Sequence, residues 1–234
     1  TLQDSSAASD VYKRQQVHIS TKSRKLVEKV AKAHNLPVLC TYEHQDIISN
    51  DNLHYAGELG LRPPEPIRKN ALEADLVLIV GHRFNGVPNM AYKFPSSKQT
   101  FIHVIPDPNT IGKIFRTDMG IVADSENFLE QLSNFVNNSK NNERNEWVKL
   151  CHYRYLNNDA TATPRNANDG LDFAHFIDGL GEIAPENSII TNDAGNFTSW
   201  MHHRFPFKST MKLIGSEIGA MGMGIPAGIA AALR

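Results

Sequence analysis

The sequence predicts an α/β protein: two doubly wound, Rossmann-like units built on parallel sheets, the second one truncated. Three observations carry that expectation. Short apolar runs alternate with amphipathic stretches of helical length, the pattern of successive βαβ units. Residues 75–81 hold the run Leu76-Val77-Leu78-Ile79-Val80, the mark of a strand covered on both faces in a parallel sheet. Two glycine-bearing segments, 193–197 and 215–224, each follow a strand-like run, where open parallel sheets bind ligands.

Each element can be justified in order. Residues 22–34 place Leu26, Val27, Val30 and Ala31 on one face and basic residues on the other, so they read as a helix that Asn35 can end. Residues 36–41 are a short buried strand, and a polar loop follows at 44–52. After 55–60 and the proline-rich 63–66, residues 67–73 make a second helix. Glu73 and Asp75 then read as helix-end and strand-start residues, not as a catalytic pair. Residues 100–105 are the next strand and 121–123 a short third one. Asp124 or Ser125 caps a helix whose apolar face is Phe128, Leu129, Leu132, Phe135 and Val136. These elements make a first domain over 16–137. Residues 138–168 are expected to be a linker with one short helix around 147–155. A second α/β unit occupies 169–234: a helix at 171–180 with Phe173, Phe176, Ile177 and Leu180 in the core, a strand at 188–192, a helix at 198–203, a strand at 211–214 and a helix at 226–233.

Composition excludes several classes. With 41% hydrophobic and 21% charged residues, the 234-residue chain has the balance of a soluble globular protein. A net charge of −1 without a basic block argues against nucleic acid or an anionic membrane as partner. The longest apolar runs, 76–81 and 228–233, are far short of a bilayer span. The first residues lack an apolar core segment, so no secretory signal is expected. Cys40 and Cys151 are too few for a disulfide framework and lack metal-ligand spacing; Cys40, within the apolar run 36–41, is expected to be a buried thiol, and a reducing cytoplasm fits this. Residues 1–15, which include Ser6-Ala7-Ala8-Ser9-Asp10-Val11-Tyr12-Lys13-Arg14-Gln15, resemble a translated sequencing adaptor and are set apart as a non-native segment.

Residues 215–228 concentrate five glycines among apolar Ile218, Met221, Met223 and Ile225. Glycine permits positive φ and close backbone approach to a ligand, and the apolar neighbours distinguish the stretch from a flexible linker. Alone, it fits either a cofactor held by backbone groups or a tight loop packing a helix on a sheet. Asp193-Ala194-Gly195-Asn196, followed by Gly219-Ala220-Met221-Gly222-Met223-Gly224-Ile225-Pro226-Ala227, resembles the thiamine-diphosphate enzymes of the acetolactate synthase type. There the same region reads Asp-Val-Gly-Gln-His and then Gly-Thr-Met-Gly-Phe-Gly-Leu-Pro-Ala-Ala. Ala74-Asp75-Leu76-Val77-Leu78-Ile79-Val80-Gly81-His82-Arg83-Phe84, Ile102-His103-Val104 and Asp107-Pro108-Asn109-Thr110-Ile111-Gly112-Lys113 resemble that family's central domain. The likeness is collinear over residues 18–234.

The resemblance implies a middle piece of a larger enzyme: a central domain and the start of the C-terminal cofactor-binding domain. The amino-terminal pyrimidine-binding domain is missing, and the magnesium ligands are expected beyond Arg234. It implies thiamine diphosphate with Mg2+. The Gly219 carbonyl would accept from the 4′-amino group, with Ala220 beside it. Met221 would be the apolar wedge whose N–H meets the pyrimidine, and Ala194, Gly195, Asn196 and Phe197 would lie at the diphosphate. Asn196-Phe197 replaces the family's Gln-His, which shortens or removes side-chain contacts there. Gly81, Arg83 and Phe84 keep features linked to the family's flavin (FAD). However, Asn85 and Ile105 stand where acids are usual, and Glu58-Leu59-Gly60-Leu61-Arg62 replaces Met-His-Gly. Flavin is therefore left open against a vacant or repurposed nucleotide fold, and a surface ion pair is the competing reading of Arg83.

The implied activity is decarboxylation of a 2-oxo acid such as pyruvate and ligation to an acceptor. An oxalyl- or 2-hydroxyacyl-CoA lyase is the alternative within the class; a non-catalytic nucleotide-binding regulatory module is the alternative outside it. No catalytic acid, base or metal ligand is assigned in the chain. The activating glutamate would come from the missing domain of a neighbouring subunit, so a homodimer or homotetramer and an inactive fragment are expected. The partner is a small molecule, a 2-oxo acid or acyl-CoA. His202-His203 looks like a metal pair but has no carboxylate or cysteine at ligand spacing, and is expected at the surface or an interface.

Overall fold

A computed structural model describes residues 20–84, 86, 88–135, 142–158, 170–216 and 219–233; the adaptor-like 1–15 and part of the expected linker lie outside them. The chain divides into two compact units, Thr1–His34 with Ala71–Lys140, and Asn35–Asn70 with Asn141–Arg234. Every strand pairing is parallel, as the α/β expectation requires.

In the first unit, helix α1 (Thr21–His34) starts at Ser20, whose Oγ accepts the Ser23 N–H at 3.0 Å. It ends at Asn35, which takes the left-handed conformation at φ +50°, a common helix stop. Its buried residues Leu26, Val30 and Ala31 are those the periodicity selects. Strands β3 (Leu76–Val80), β4 (Thr100–Ile105) and β5 (Met119–Val122) form one sheet in that order. Central β4 is the buried strand; β3 is an edge, and Leu76 is 45% exposed, so the expected cover on both faces is not met. Helix α3 (Ser125–Asn134) is capped by Asp124, which accepts from the Glu126 and Asn127 N–H groups. Phe135 is its C-cap and exposed, not part of an apolar face, and Val136 lies outside the described residues.

In the second unit, β1 (Val38–Thr41) pairs with β2 (Tyr55–Leu59), a strand buried along its whole length. Helix α2 (Glu65–Leu72) packs on it through Ile67; a Cβ on Gly57, at φ +104°, would come within 2.6 Å of Ile67 Cδ1. Helix α4 (Asn142–Leu156) adds Cys151, whose carbonyl shares the Asn70 amide with that of Ala56. Helix α5 (Phe173–Ile183), β6 (Ile189–Thr191), α6 (Thr198–Arg204), β7 (Lys212–Ile214) and α7 (Gly224–Ala232) follow, with β6 and β7 paired. Their core is Ile177, Met201, Phe205, Phe207, Met211 and Leu213.

Two expectations are corrected here. Phe173 and Phe176 are 46% and 48% exposed, and α5 instead buries Ala174 and Ile177. The polar stretch 44–52 is not a solvated loop: Gln45–Ile47 is a buried 3-10 turn. Asp46 Oδ2 accepts the Leu213 N–H at 2.9 Å, and Asn50 pairs with both backbone groups of Phe207. No helix among the described residues is long and apolar enough to cross a membrane.

Candidate cofactor site

The two glycine segments meet at the carboxyl ends of β6 and β7, and Asp193 joins them. It lies two residues past Thr191, the end of β6, and its carboxylate accepts the Ala194 N–H at 2.8 Å. From the other segment it accepts the Gly222 N–H on both oxygens, at 2.7 and 2.9 Å, and the Gly224 N–H at 3.2 Å. The Ala194 bond, followed by those from Gly224 and Gly222, holds the Asp193 carboxyl below its usual range. Gly222 itself sits at φ +92° and Gly219 at φ +71°, where a side chain would be strained. Gly224 and Gly228 let α7 lie on β6: a Cβ on Gly224 would be 3.2 Å from the Asn192 carbonyl carbon, and one on Gly228 3.1 Å from Thr191 Oγ1.

The turn 219–222 is organised from its start by Ser216, whose carbonyl accepts the Gly219 N–H at 3.0 Å and whose Oγ accepts the Ala220 N–H at 2.7 Å. The Met221 N–H and the carbonyls of the turn, that of Gly219 included, have no partner among the described residues. Met221 is 83% exposed, an unusual position for a long apolar side chain.

On the other segment, the N–H groups of Thr198, Ser199 and Trp200 turn back onto the carbonyls of Gly195, Asn196 and Phe197. Thr198 Oγ1 adds a second bond to the Gly195 carbonyl at 2.8 Å. With Ala194 committed to Asp193, the backbone donors left for an anion are those of Gly195, Asn196 and Phe197. The Phe197 ring stacks back over Gly195, where a Cβ would be 2.5 Å from it.

The residues singled out for a nucleotide lie in the first unit, at the carboxyl end of its sheet. Gly81 (φ +75°) donates its N–H to the Val104 carbonyl at 2.8 Å. Buried Phe84 follows at φ +55°, its N–H on His82 Nδ1. Arg83 and Phe84 border a recess with Phe101, His103, Thr110 and Phe115. His103 is held neutral by burial, its Nε2 on the His82 carbonyl at 2.9 Å.

Sequence reasoning missed Asp193 as the clamp and Ser216 as the organiser of the turn, although an acid just after a strand-like run and two residues before Gly195 was a visible cue for such a side-chain-to-backbone turn. It also misplaced His202. That imidazole is buried, and carboxylates distant in sequence flank it: Glu43 Oε2 at 3.4 Å from Nε2 and Glu58 Oε1 at 3.8 Å from Nδ1. No group of three or more potential metal ligands is assembled among the described residues.

Residues 15–132 match the family described as "Thiamine pyrophosphate enzyme, central domain". The acetolactate synthase isozyme 1 large subunit of Escherichia coli is 28% identical over 88% of this chain and 36% of its own length. The acetolactate synthase large subunit of Lactococcus lactis is 28% identical over 90% of this chain and 35% of its own. The pyruvate oxidase of Lactiplantibacillus plantarum is 23% identical over 91% of this chain and 35% of its own. The chain thus spans about a third of the length of the curated relatives it matches. Matched over half its residues by the central-domain family, and with most of its length aligned to these relatives, the chain belongs to the thiamine pyrophosphate enzymes.

Proposed function

We propose that this chain is part of an enzyme that uses thiamine diphosphate and Mg2+ to decarboxylate a 2-oxo acid of the pyruvate type and join the remainder to an acceptor, as an acetolactate synthase does. One observation carries the reading. In the clamped turn 219–222, the Gly219 carbonyl and the Met221 N–H, the two groups that the family resemblance assigns to the pyrimidine, are among those without a partner among the described residues. The residues present therefore fit the cofactor.

The chemistry the cofactor supplies when bound is a nucleophilic carbon and a sink for the electron pair released on decarboxylation. The chain's own residues bind and orient. The Gly219 carbonyl would accept from the cofactor's amino group, the Met221 N–H would donate to its pyrimidine, and the Met221 side chain would pack against it. Gly195, Asn196 and Phe197 offer N–H groups to an anion, and Asp193 keeps the two sets in register. The same reading makes the protein a homodimer or homotetramer. Its two buried cysteines, Cys40 and Cys151, form no disulfide, which accords with a reducing cytoplasm.

The test is turnover of pyruvate by the full-length protein with thiamine diphosphate and Mg2+, followed by carbon dioxide release and by the ligated product. Absence of cofactor-dependent turnover of any 2-oxo acid or acyl-CoA would sink the reading. A second reading, a flavin or other nucleotide in the first unit, rests on the resemblance at Gly81, Arg83 and Phe84, since the recess beside Arg83 and Phe84 is itself too small to hold either. The absorbance spectrum of the purified full-length protein decides it.

A further inference from the structure

We propose that Glu43, Glu58 and His202 form a proton-sharing site that positions the Asp193 loop through the side chain of Asn192. The three side chains come from the end of β1, from β2 and from α6, and each is 1% exposed. The His202 ring lies between the two carboxylates, and neither contact, 3.4 Å to Glu43 or 3.8 Å to Glu58, makes a hydrogen bond as it stands. Two buried acids against one imidazole cannot all carry charge at low cost.

Asn192 reads the ring. Its Oδ1 accepts the Asp193 N–H at 3.0 Å, which fixes the orientation of the amide. Nδ2 then lies 3.1 Å from His202 Nε2 and 3.4 Å from Glu43 Oε1. Because Nδ2 can only donate, this contact requires a bare Nε2, with the ring proton on Nδ1 towards Glu58. Glu43 Oε2, 3.4 Å from that same Nε2, requires the opposite, a proton between them. Nε2 cannot satisfy both. Where the shared proton resides therefore decides whether Asn192 keeps its bond, and Asn192 is the residue immediately before the clamp.

Burial pushes Glu58 up to about 7, with the negative charge of Glu43 adding to it and His202 opposing it. Ionisation of Glu58 releases one proton and switches the tautomer of the ring: the protonated acid donates to a bare Nδ1 and leaves the ring proton on Nε2 towards Glu43, whereas the carboxylate draws that proton to Nδ1 and frees Nε2 to accept from Asn192. The other titratable groups facing the cluster are Cys40, Tyr42 and Asp46 from β1 and the turn after it, Tyr55 from β2 and His203 from α6. Burial holds Cys40, Tyr42 and Tyr55 protonated and His203 neutral across the neutral range, so Glu58 is the group that changes charge there.

The consequence for cofactor binding rests on the function proposed above; the coupling itself does not, and the test separates them. Hydrogen exchange of the full-length protein without cofactor, corrected for intrinsic rates, is followed by mass spectrometry from pH 5.5 to 8.5. Peptides covering 193–197 and 219–224 should gain protection as pH rises, with a midpoint near pH 7, where Glu58 ionises. Glu58→Gln should abolish the transition and keep the low-pH protection throughout. A flat wild-type profile, or a transition that survives in Glu58→Gln, overturns the proposal. If Glu58→Gln does not fold, Glu43→Gln carries the test: with the neighbouring charge removed the midpoint should move to lower pH, and an unchanged midpoint overturns the coupling. Thiamine diphosphate affinity of the full-length protein, measured by calorimetry with Mg2+, should strengthen over the same interval. A transition in exchange together with no cofactor binding at any pH upholds the coupling and rejects the function.

Discussion

Asp193 is the residue on which the candidate site turns, because one carboxylate orders donors from two segments that are distant in sequence. Replacing it by alanine leaves the Ala194, Gly222 and Gly224 N–H groups without their acceptor. Bonds to a charged acceptor are the stronger kind, so Asp193→Ala in the full-length protein should weaken thiamine diphosphate binding roughly tenfold or more. Asp193→Asn keeps one acceptor oxygen and should fall between. Calorimetric dissociation constants check both, and unchanged binding in the alanine variant would remove the clamp from the site. The pH behaviour follows from the depressed carboxyl. Its contribution is present above the ordinary value of 3.8 and is lost as pH falls through the lower, folded one. The clamp therefore holds throughout the neutral range. Gly219 is a different test, since a Cβ there meets nothing within 4 Å and only φ +71° opposes it. Gly219→Ala should cost about 1 kcal/mol through backbone strain alone, read as a small shift in the denaturation midpoint.

Among the elements, helix α5 shows what a one-dimensional pattern leaves undecided. It carries two apolar lines, Ala174 with Ile177, and Phe173 with Phe176 and Ile183. Size favours the second line, and the fold buries the first. Gly181 explains the choice: a Cβ there would be 2.7 Å from Pro206 Cδ, so the face shared by 174, 177 and 181 is the one that approaches the segment of Phe205 and Phe207. Ile177→Ala should accordingly cost about 2–5 kcal/mol, and Phe176→Ala no more than about 0.5 kcal/mol, compared by urea midpoints. Equal losses would contradict this packing. The helices and the apolar strands β3 and β4 were legible because their periodicity or apolar length is a local property. Strand β2 was not, since Gly57 at φ +104° and buried Glu58 interrupt any alternation. The glycine turn was legible as a motif, and so was its likeness to a family. Asp193, Ser216 and the Glu43–Glu58–His202 cluster were not assigned their roles, because those roles depend on partners brought together only by the fold.

Across the whole molecule, stability against pH is set by groups that bind protons differently in the folded and unfolded chains. Glu58 and His203 act in opposite directions over nearly the same interval. Glu58 rises from 4.5 to about 7 on folding, so its contribution is full below pH 4.5 and is lost as pH rises to 7. His203 is lowered from 6.5 to about 4, chiefly by burial, so its cost is absent above pH 6.5 and grows as pH falls towards 4. Between these limits the two slopes offset one another. His103, also lowered by burial, adds a slope of the same sign as His203. Glu58→Gln removes one side of the balance while keeping the shape of the protonated acid. The variant should therefore match the wild type at pH 4.5 and exceed its stability at pH 8 by an amount on the order of 3 kcal/mol, the linkage value of the removed shift. Urea unfolding of the full-length protein at the two pH values measures the difference. A buried substitution that stabilises at pH 8 and is neutral at pH 4.5 has no explanation in packing, which is indifferent to pH. Equal destabilisation at both would mean instead that the amide does not fit the acid's place whatever its charge, a packing effect without linkage.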